Sequence, residues 1–188
     1  MRDLIVTENI TLDGVIEATD GWFDVSGEDH ALTEVNQQHS AASGAVLLGR
    51  VTYEQFKGYW PLQTDDTTGV TDHLNHTTKY VVSTTMKESD WENTTILSGP
   101  LAEEVAAIKA ADGKPIVATG SITLVRALLG AGLVDEYRLF VYPVVLGHGR
   151  RLFTAGSALP GMRLIVPRPF PSGVVLLRYR ADEARTAA

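Results

Sequence analysis

Two short segments of this sequence combine a glycine with hydrogen-bonding residues just after an apolar run. Gly49-Arg50-Val51-Thr52 follows Ala45-Val46-Leu47-Leu48 and precedes a helical pattern. Thr119-Gly120-Ser121 follows Pro115-Ile116-Val117-Ala118 in the same way. A glycine at the end of a strand lets the backbone turn tightly and approach a ligand closely. The free amides of the helix that follows can hold an oxyanion. Arg50 would add a charge-assisted donor and Thr52 a hydroxyl. Each segment taken alone reads first as a strand, a turn and a cap, with Arg50 in solvent. Taken together, the two would lie at one edge of a parallel sheet and could face one dinucleotide.

Other residues could join them. Ser83-Thr84 ends a third strand, with Lys87 nearby, and could hold a ribose phosphate or form a polar loop. Asp13 stands beside Gly14 just after the first strand. Its carboxylate would fix a polar heterocycle or sugar hydroxyls, or simply close an Asp-Gly turn. Trp22-Phe23 either caps the same cleft or fills a small core. His73 and His76 have a metal-like spacing but no companion acid or cysteine pattern, so a surface loop is the expectation. His39 is expected on a helix, facing solvent. Gly147-His148-Gly149 has two of the glycines of a GxGxxG fingerprint and reads as a tight turn or bulge. No GxxxxGK[ST] segment is present, and Ser121 is not in a GxSxG elbow.

The elements needed to position these residues are legible as a pattern. Leu4-Ile5-Val6 opens a strand running towards Ile10. Ser26-Gly27-Glu28-Asp29 has capping-box spacing, and Leu32, Val35 and Ala42 continue it as a helix to Ser43-Gly44. Residues 45–48 form a buried strand, and Thr52 to Phe56 a short helix. Residues 58–76 read as a long irregular connection or a broken helix. Strands follow at Tyr80-Ser83 and, more weakly, Thr94-Leu97. Pro100 opens a helix whose first turn carries Glu103 and Glu104. Residues 115–118 form a strand, and the helix around Leu124 to Leu129 ends at Gly130 or Gly132. The last third holds strands at Tyr137-Pro143, Arg163-Val166 and Val174-Tyr179, the last two joined as a hairpin around Pro171 and Gly173. The tail from Ala181 is expected to fray. Alternating strands and helices demand a mostly parallel sheet covered on both faces, and the strand-rich end adds antiparallel members. The fold class is thus α/β, three layers around a mixed, mostly parallel sheet, in one domain spanning 1–188.

Bulk properties narrow the function. The 188 residues suffice for one domain with a real core. The formal net charge of -7 argues against a general nucleic-acid surface but not against a local anion site. Without cysteine the chain can form no disulfide and no thiolate metal site. The first residues do not read as a signal peptide, and no apolar run reaches membrane-spanning length. A cytoplasmic protein is expected by default.

In order and spacing, these segments resemble the dihydrofolate-reductase-like superfamily, in its riboflavin-biosynthesis reductase branch (the RibD C-terminal domain type). The resemblance rests on residues 6–14, 47–54, 80–84 and 117–125. It continues through Leu128-Leu129, Leu133-Val134-Asp135-Glu136, Pro143 to Gly147 and Arg151-Leu152-Phe153. It implies an NADPH-dependent reductase and a homodimer. It also implies that Gly49, Arg50, Thr52, Gly120, Ser121 and Ile122 hold the pyrophosphate, with Leu48 and Thr119 as cofactor contacts beside them. Ser83 and Thr84 would approach the adenosine ribose and its phosphate, and Asp13 the substrate. Substrate candidates are a riboflavin-pathway pyrimidine, 5-amino-6-(5-phosphoribosylamino)uracil, or a similar heterocycle. Dihydrofolate is a second candidate, and a non-catalytic dinucleotide- or flavin-binding module a third. The acid that dihydrofolate reductases carry on their first helix has no secure counterpart among Asp29, Thr33 and Glu34.

Overall fold

The computed structural model describes residues 1–19, 21–23, 29–154, 159 and 161–182. The chain runs β1 (Leu4–Thr11), α1 (His30–Ala42), β2 (Ala45–Gly49), α2 (Arg50–Tyr59), a 3-10 turn (Trp60–Leu62) and α3 (Val70–His76). It continues as β3 (Thr78–Val82), β4 (Thr94–Leu97), α4 (Leu101–Ala110), β5 (Ile116–Ala118) and α5 (Ile122–Gly130). It closes with β6 (Glu136–Tyr142), β7 (Met162–Pro169) and β8 (Val175–Ala181).

The strands form one eight-stranded sheet in the order β4-β3-β2-β5-β1-β6-β8-β7. The six strands from β4 to β6 are mutually parallel. The last two are added antiparallel, β8 against β6 and β7 against β8. This is the mixed, mostly parallel α/β sheet that the pattern demands.

Side-chain alternation along β2 shows how the layers are divided. Ala45 and Leu47 join the core beneath α4 and α5, with Val105, Leu124 and Leu128. Val46 and Leu48 face the other way, onto Tyr53, Leu74, Val81 and Trp91 of the α2–α3 side. A third apolar cluster, Val35, Phe140, Phe170, Val174 and Leu176, seats α1 on β6 and the β7–β8 hairpin. A strand buried on both faces must be apolar throughout, which is why residues 45–48 carry no polar position. On β3, Lys79 is fully buried yet satisfied. Its ammonium donates to the carbonyls of Leu74 (2.6 Å) and Thr77 (2.9 Å). It also lies 4.6 Å from the Trp91 ring centroid.

Several local expectations are revised. Helix α1 starts later than the capping-box spacing suggests, because Asp29 is the N-cap and accepts from the amide of Leu32. Ser26 lies outside the described residues, as does the tail beyond 182. Residues 58–76 are more ordered than their glycine and threonine content suggests. Helix α2 runs to Tyr59, and α3 places His73 and His76 on a helix. His76 pairs with Asp72 one turn earlier (3.1 Å), and His73 lies 3.3 Å from the Ser43 hydroxyl. The hairpin expectation is met: β7 and β8 pair around residues 170–174, with Phe170 and Val174 hydrogen-bonded at 2.9 Å. Strand β7 includes Pro167 and Pro169, as an edge strand can.

Leu47 is fully buried at the centre of this sheet. Leu47→Ala is expected to cost about 2–5 kcal/mol. In urea unfolding this should appear as a lower midpoint at unchanged slope.

Candidate functional site

Strands β2 and β5 are neighbours, pairing from Ala45–Ile116 to Leu47–Ala118, so they end at nearly the same level. Each passes directly into a helix. The two turns therefore meet, and the Gly49 amide donates to the Gly120 carbonyl (3.0 Å). The contact requires small residues. A Cβ at Gly49 would overlap the Ser121 hydroxyl and stand 3.1 Å from the Ser121 nitrogen. A Cβ at Gly120 would stand 2.9 Å from the Thr52 hydroxyl, and its φ of +123° disfavours any side chain. Neither helix has a side-chain N-cap hydrogen bond: Gly49 precedes α2 and Ser121 precedes α5. Two sets of uncapped amides and two positive dipole ends thus converge.

These turns border a cleft of about 1190 Å³. Of the residues expected to bind cofactor, Thr52, Thr119, Gly120, Ser121 and Ile122 line it. Gly49 supports them from behind. Leu48 is fully buried in the α2–α3 core. Arg50 is an exposed residue paired with Glu54 at 2.9 Å. Ser83 is buried at the end of β3, where its hydroxyl accepts from the Met86 amide (3.0 Å), while Thr84 is exposed. Leu48, Gly49, Arg50, Ser83 and Thr84 are not among the cleft-lining residues.

Asp13 also lies apart from the cleft lining. Its carboxylate accepts from the Thr11 hydroxyl (2.6 Å), the Gly147 amide (2.9 Å) and the Leu146 amide (3.3 Å). Arg151 adds an ion pair at 3.3 Å. The Thr11 hydroxyl first, then the Gly147 and Leu146 amides, hold the carboxyl far below the usual range despite some desolvation. The structure thus places Asp13 in a clamp joining the β1 turn to the 144–151 loop, which fixes the loop edge of the cleft. Glu17 strengthens the same edge, accepting from the Arg150 amide at 3.0 Å and pairing with its guanidinium at 2.7 Å.

The far side of the cleft lies between α1 and the sheet. Trp22, Phe23 and Tyr142 form an edge-on aromatic cluster there, with centroids 4.8–6.0 Å apart. The pairing of Trp22 with Phe23 thus belongs to the cleft. His39 does not face solvent as its helical position suggests; it is half-buried in the cleft against Phe140. Burial, then the charges of Arg138 and Arg178, push its pKa down to about 4, so the ring is neutral at pH 7. Its Nδ1 has no hydrogen-bond partner among the described residues. Arg138 also lines the cleft, donating to Glu136 at 2.8 Å. Arg178 donates to the same carboxylate at 2.9 Å. Burial raises the Glu136 pKa, but the two guanidiniums outweigh it and leave the carboxyl ionised. Two cations against one anion leave this wall net positive.

Sequence reasoning passed over Glu8 entirely. It sits on β1 on the face of Leu4, Val6 and Ile10, where the other residues of that face belong to the core. It lines the cleft and is 9% exposed, and its Oε1 has no hydrogen-bond partner among the described residues. Burial alone raises its pKa to about 8. An acid at a core-facing position of an apolar strand was the available signal.

Comparison with known proteins places this α/β domain and its cleft. The RibD C-terminal domain family matches residues 2–176, and the chain belongs to that family. Two Bacillus subtilis (strain 168) proteins of uncharacterized function are similar. YyaP is 34% identical over 95% of this chain and 94% of its own. YwjB is 29% identical over 96% and 99%. Among solved structures, a Shewanella sp. PV-4 protein provisionally described as one of riboflavin biosynthesis superposes with TM-score 0.72 at 18% identity, covering 96% of this chain and 99% of that one. The Thermotoga maritima diaminohydroxyphosphoribosylaminopyrimidine deaminase/5-amino-6-(5-phosphoribosylamino)uracil reductase superposes at 0.65 and 15% identity, covering 96% of this chain and 57% of that one. The fold is therefore pyrimidine-reductase-like.

Two outcomes follow from the geometry. Asp13→Ala should raise hydrogen exchange at the Leu146 and Gly147 amides, read by mass spectrometry of the 144–151 segment. Glu8→Gln should alter stability with a defined sign. A carboxyl with a raised folded-state pKa stabilises fully below its unfolded value near 4.5, and loses that contribution as pH rises towards about 8. The neutral amide escapes this loss. The variant should gain on the parent between pH 5 and 8, by up to about 3 kcal/mol at pH 7, and match it near pH 4 in urea titrations.

Proposed function

We propose that this protein is an NADPH-dependent reductase that transfers a hydride to a small, anionic heterocycle of the riboflavin-pathway pyrimidine type. The observation that carries the reading is the junction of two uncapped helix N-termini at Gly49 and Gly120-Ser121, on the border of a large cleft. Such a junction suits a pyrophosphate, since it supplies amides and dipoles without a competing side chain. Thr52 and Thr119 add donors along the same wall. Arg50, paired with Glu54, and Ser83 and Thr84 at the end of β3 stand outside the cleft lining, so the adenosine end of the cofactor rests on them less than the pyrophosphate does on the junction.

The bound cofactor would supply the hydride, and the protein's part is placement. The aromatic cluster of Trp22, Phe23 and Tyr142 gives a flat ring an apolar wall and keeps water from the reacting atoms. Arg138 shares the single Glu136 carboxylate with Arg178, and this positive group suits an anionic substituent on that ring. Asp13 acts through the loop it clamps. Dihydrofolate is less well served: the cleft residues of α1 are Leu32, Thr33, Asn36, His39 and Ser40, and Asp29 at its start is engaged in capping.

A homodimer is part of this reading. It is supported by the edge strand β7, where the apolar side chains of Met162, Leu164 and Ile165 are exposed. So is a cytoplasmic site of action, supported by the absence of cysteine and by the lack of any helix, among the described residues, long and apolar enough to cross a membrane.

Calorimetric titration with NADPH and NADH tests the central claim. Saturable binding of NADPH is expected, and no binding of either would end the reading. Gly49→Ala should weaken NADPH binding about tenfold or more, because the added methyl forces the two helix starts apart. A folded Gly49→Ala protein with unchanged affinity would remove the junction from the cofactor site.

A further inference from the structure

Glu8 occupies an unusual position along β1. Strand β5 pairs with β1 only as far as Val6–Ala118, whereas β6 accompanies β1 to Thr11. Glu8 therefore lies beyond the last β5 pair. One flank is Leu139 of β6. The other is the end of β5, where Thr119-Gly120-Ser121 lines the cleft. The surroundings on its own face are apolar: Val6, Ile10, Ile16, Leu139 and Leu152 belong to the core that meets the cleft there.

A carboxyl group buried in such a place needs a partner, because an unmade hydrogen bond in a low-dielectric site is costly. None is supplied by the described residues, whose hydrogen bonds leave Oε1 unmatched. No charged side chain contributes to its titration either; burial is the one cause of its elevated pKa. The nearby acids and bases of the cleft are matched elsewhere: Glu17 by Arg150, and Arg138 by Glu136. The group is thus protonated at neutral pH, with one O–H to donate and one C=O to accept.

We propose that Glu8 is a ligand-recognition residue that pairs, as the neutral acid, with an amide-type edge (adjacent N–H and C=O) of a ring bound in the cleft. A carboxylic acid and an amide are complementary in both hydrogen bonds, so one contact satisfies the orphaned oxygen and fixes the ring's orientation. Two components of the proposed reaction carry such an edge: the carboxamide of the nicotinamide and the imide of a uracil-type substrate. The inference rests on the reductase reading of the cleft.

The test uses the full chain with Glu8→Leu and Glu8→Gln, titrated first with NADP+ and then, in saturating NADP+, with a free aminouracil. The leucine variant, which removes both hydrogen bonds, should lose about tenfold or more in affinity for one of the two probes. Loss with NADP+ assigns the carboxamide, and loss with the aminouracil alone assigns the imide. The glutamine variant retains a donor and an acceptor and should recover much of the affinity. Raising the pH from 7 to 9.5 ionises Glu8 and removes its donor, so the parent protein should weaken while the glutamine variant does not. Carboxyl infrared spectra give an independent readout. A protonated-carboxyl band should be present at pH 7, absent in both variants, and shifted by the ligand. Parent-like affinity of Glu8→Leu for both probes, or a Glu8 already ionised at pH 7, would overturn the proposal and leave the reductase reading intact. A parent protein that binds neither NADP+ nor NADPH would overturn the reductase reading and this proposal together, an outcome already visible before any variant is made.

Discussion

The structure depends on two parallel strands ending side by side. β2 and β5 are paired through Leu47–Ala118, and each turns at once into a helix, so the turns must share one small volume. The Gly49–Gly120 hydrogen bond is the expression of that constraint. It excludes side chains at two positions, and it leaves the starts of α2 and α5 without side-chain caps. Those features are liabilities in a domain with no ligand, since uncapped amides and converging dipole ends are each unfavourable. An anion at the junction turns them into a binding site, which is why the geometry speaks for a pyrophosphate more strongly than any single residue does.

The remainder of the cleft is shaped by what surrounds that junction. β1 outruns β5 and carries Thr7, Glu8 and Asn9 into the cleft wall. The loop beyond β6 returns to β1 and is tied there by Asp13 and Glu17. β6 supplies Arg138, Phe140 and Tyr142 from one face of a single strand, alternating with Tyr137, Leu139 and Val141 in the opposite core. A ring entering the cleft would thus meet positive charge, aromatic surface and a neutral imidazole on one wall, and anion-binding amides on another.

Much of this was legible in the sequence for physical reasons. An apolar run such as 45–48 bounded by glycines has few readings other than a doubly buried strand, and two such runs followed by Gly turns fix the ligand edge of a parallel sheet. The α1 start was misread because Ser26 and Asp29 are both good caps, and local spacing does not say which one the tertiary structure uses. In residues 58–76 threonine, aspartate and glycine leave an irregular connection and a broken helix equally open, and the broken helix is what forms: α3 is held where Leu74 joins the apolar cluster of Val81 and Trp91. The aromatic nature of the far wall was visible in Trp22-Phe23, but its third member, Tyr142, is 119 residues beyond Phe23 and joins only in the folded chain.

Two acids show where local reading ends. Asp13 looks functional because it follows a strand beside a glycine, yet its two oxygens are spent on Thr11, Leu146, Gly147 and Arg151. Glu8 looks incidental because it interrupts an apolar strand, yet it retains an unmatched oxygen at the cleft wall. The distinction is set by partner count: Leu146, Gly147 and Arg151 reach Asp13 from more than a hundred residues away, whereas Glu8 Oε1 finds no partner among the described residues. A carboxylate with its acceptors filled holds a loop in place and stays charged. A buried carboxyl with an oxygen left unmatched keeps its proton, and a molecule that brings the complementary edge lowers its free energy. Function in this cleft therefore follows hydrogen-bonding capacity left over after folding, and Glu8 has more of it than Asp13.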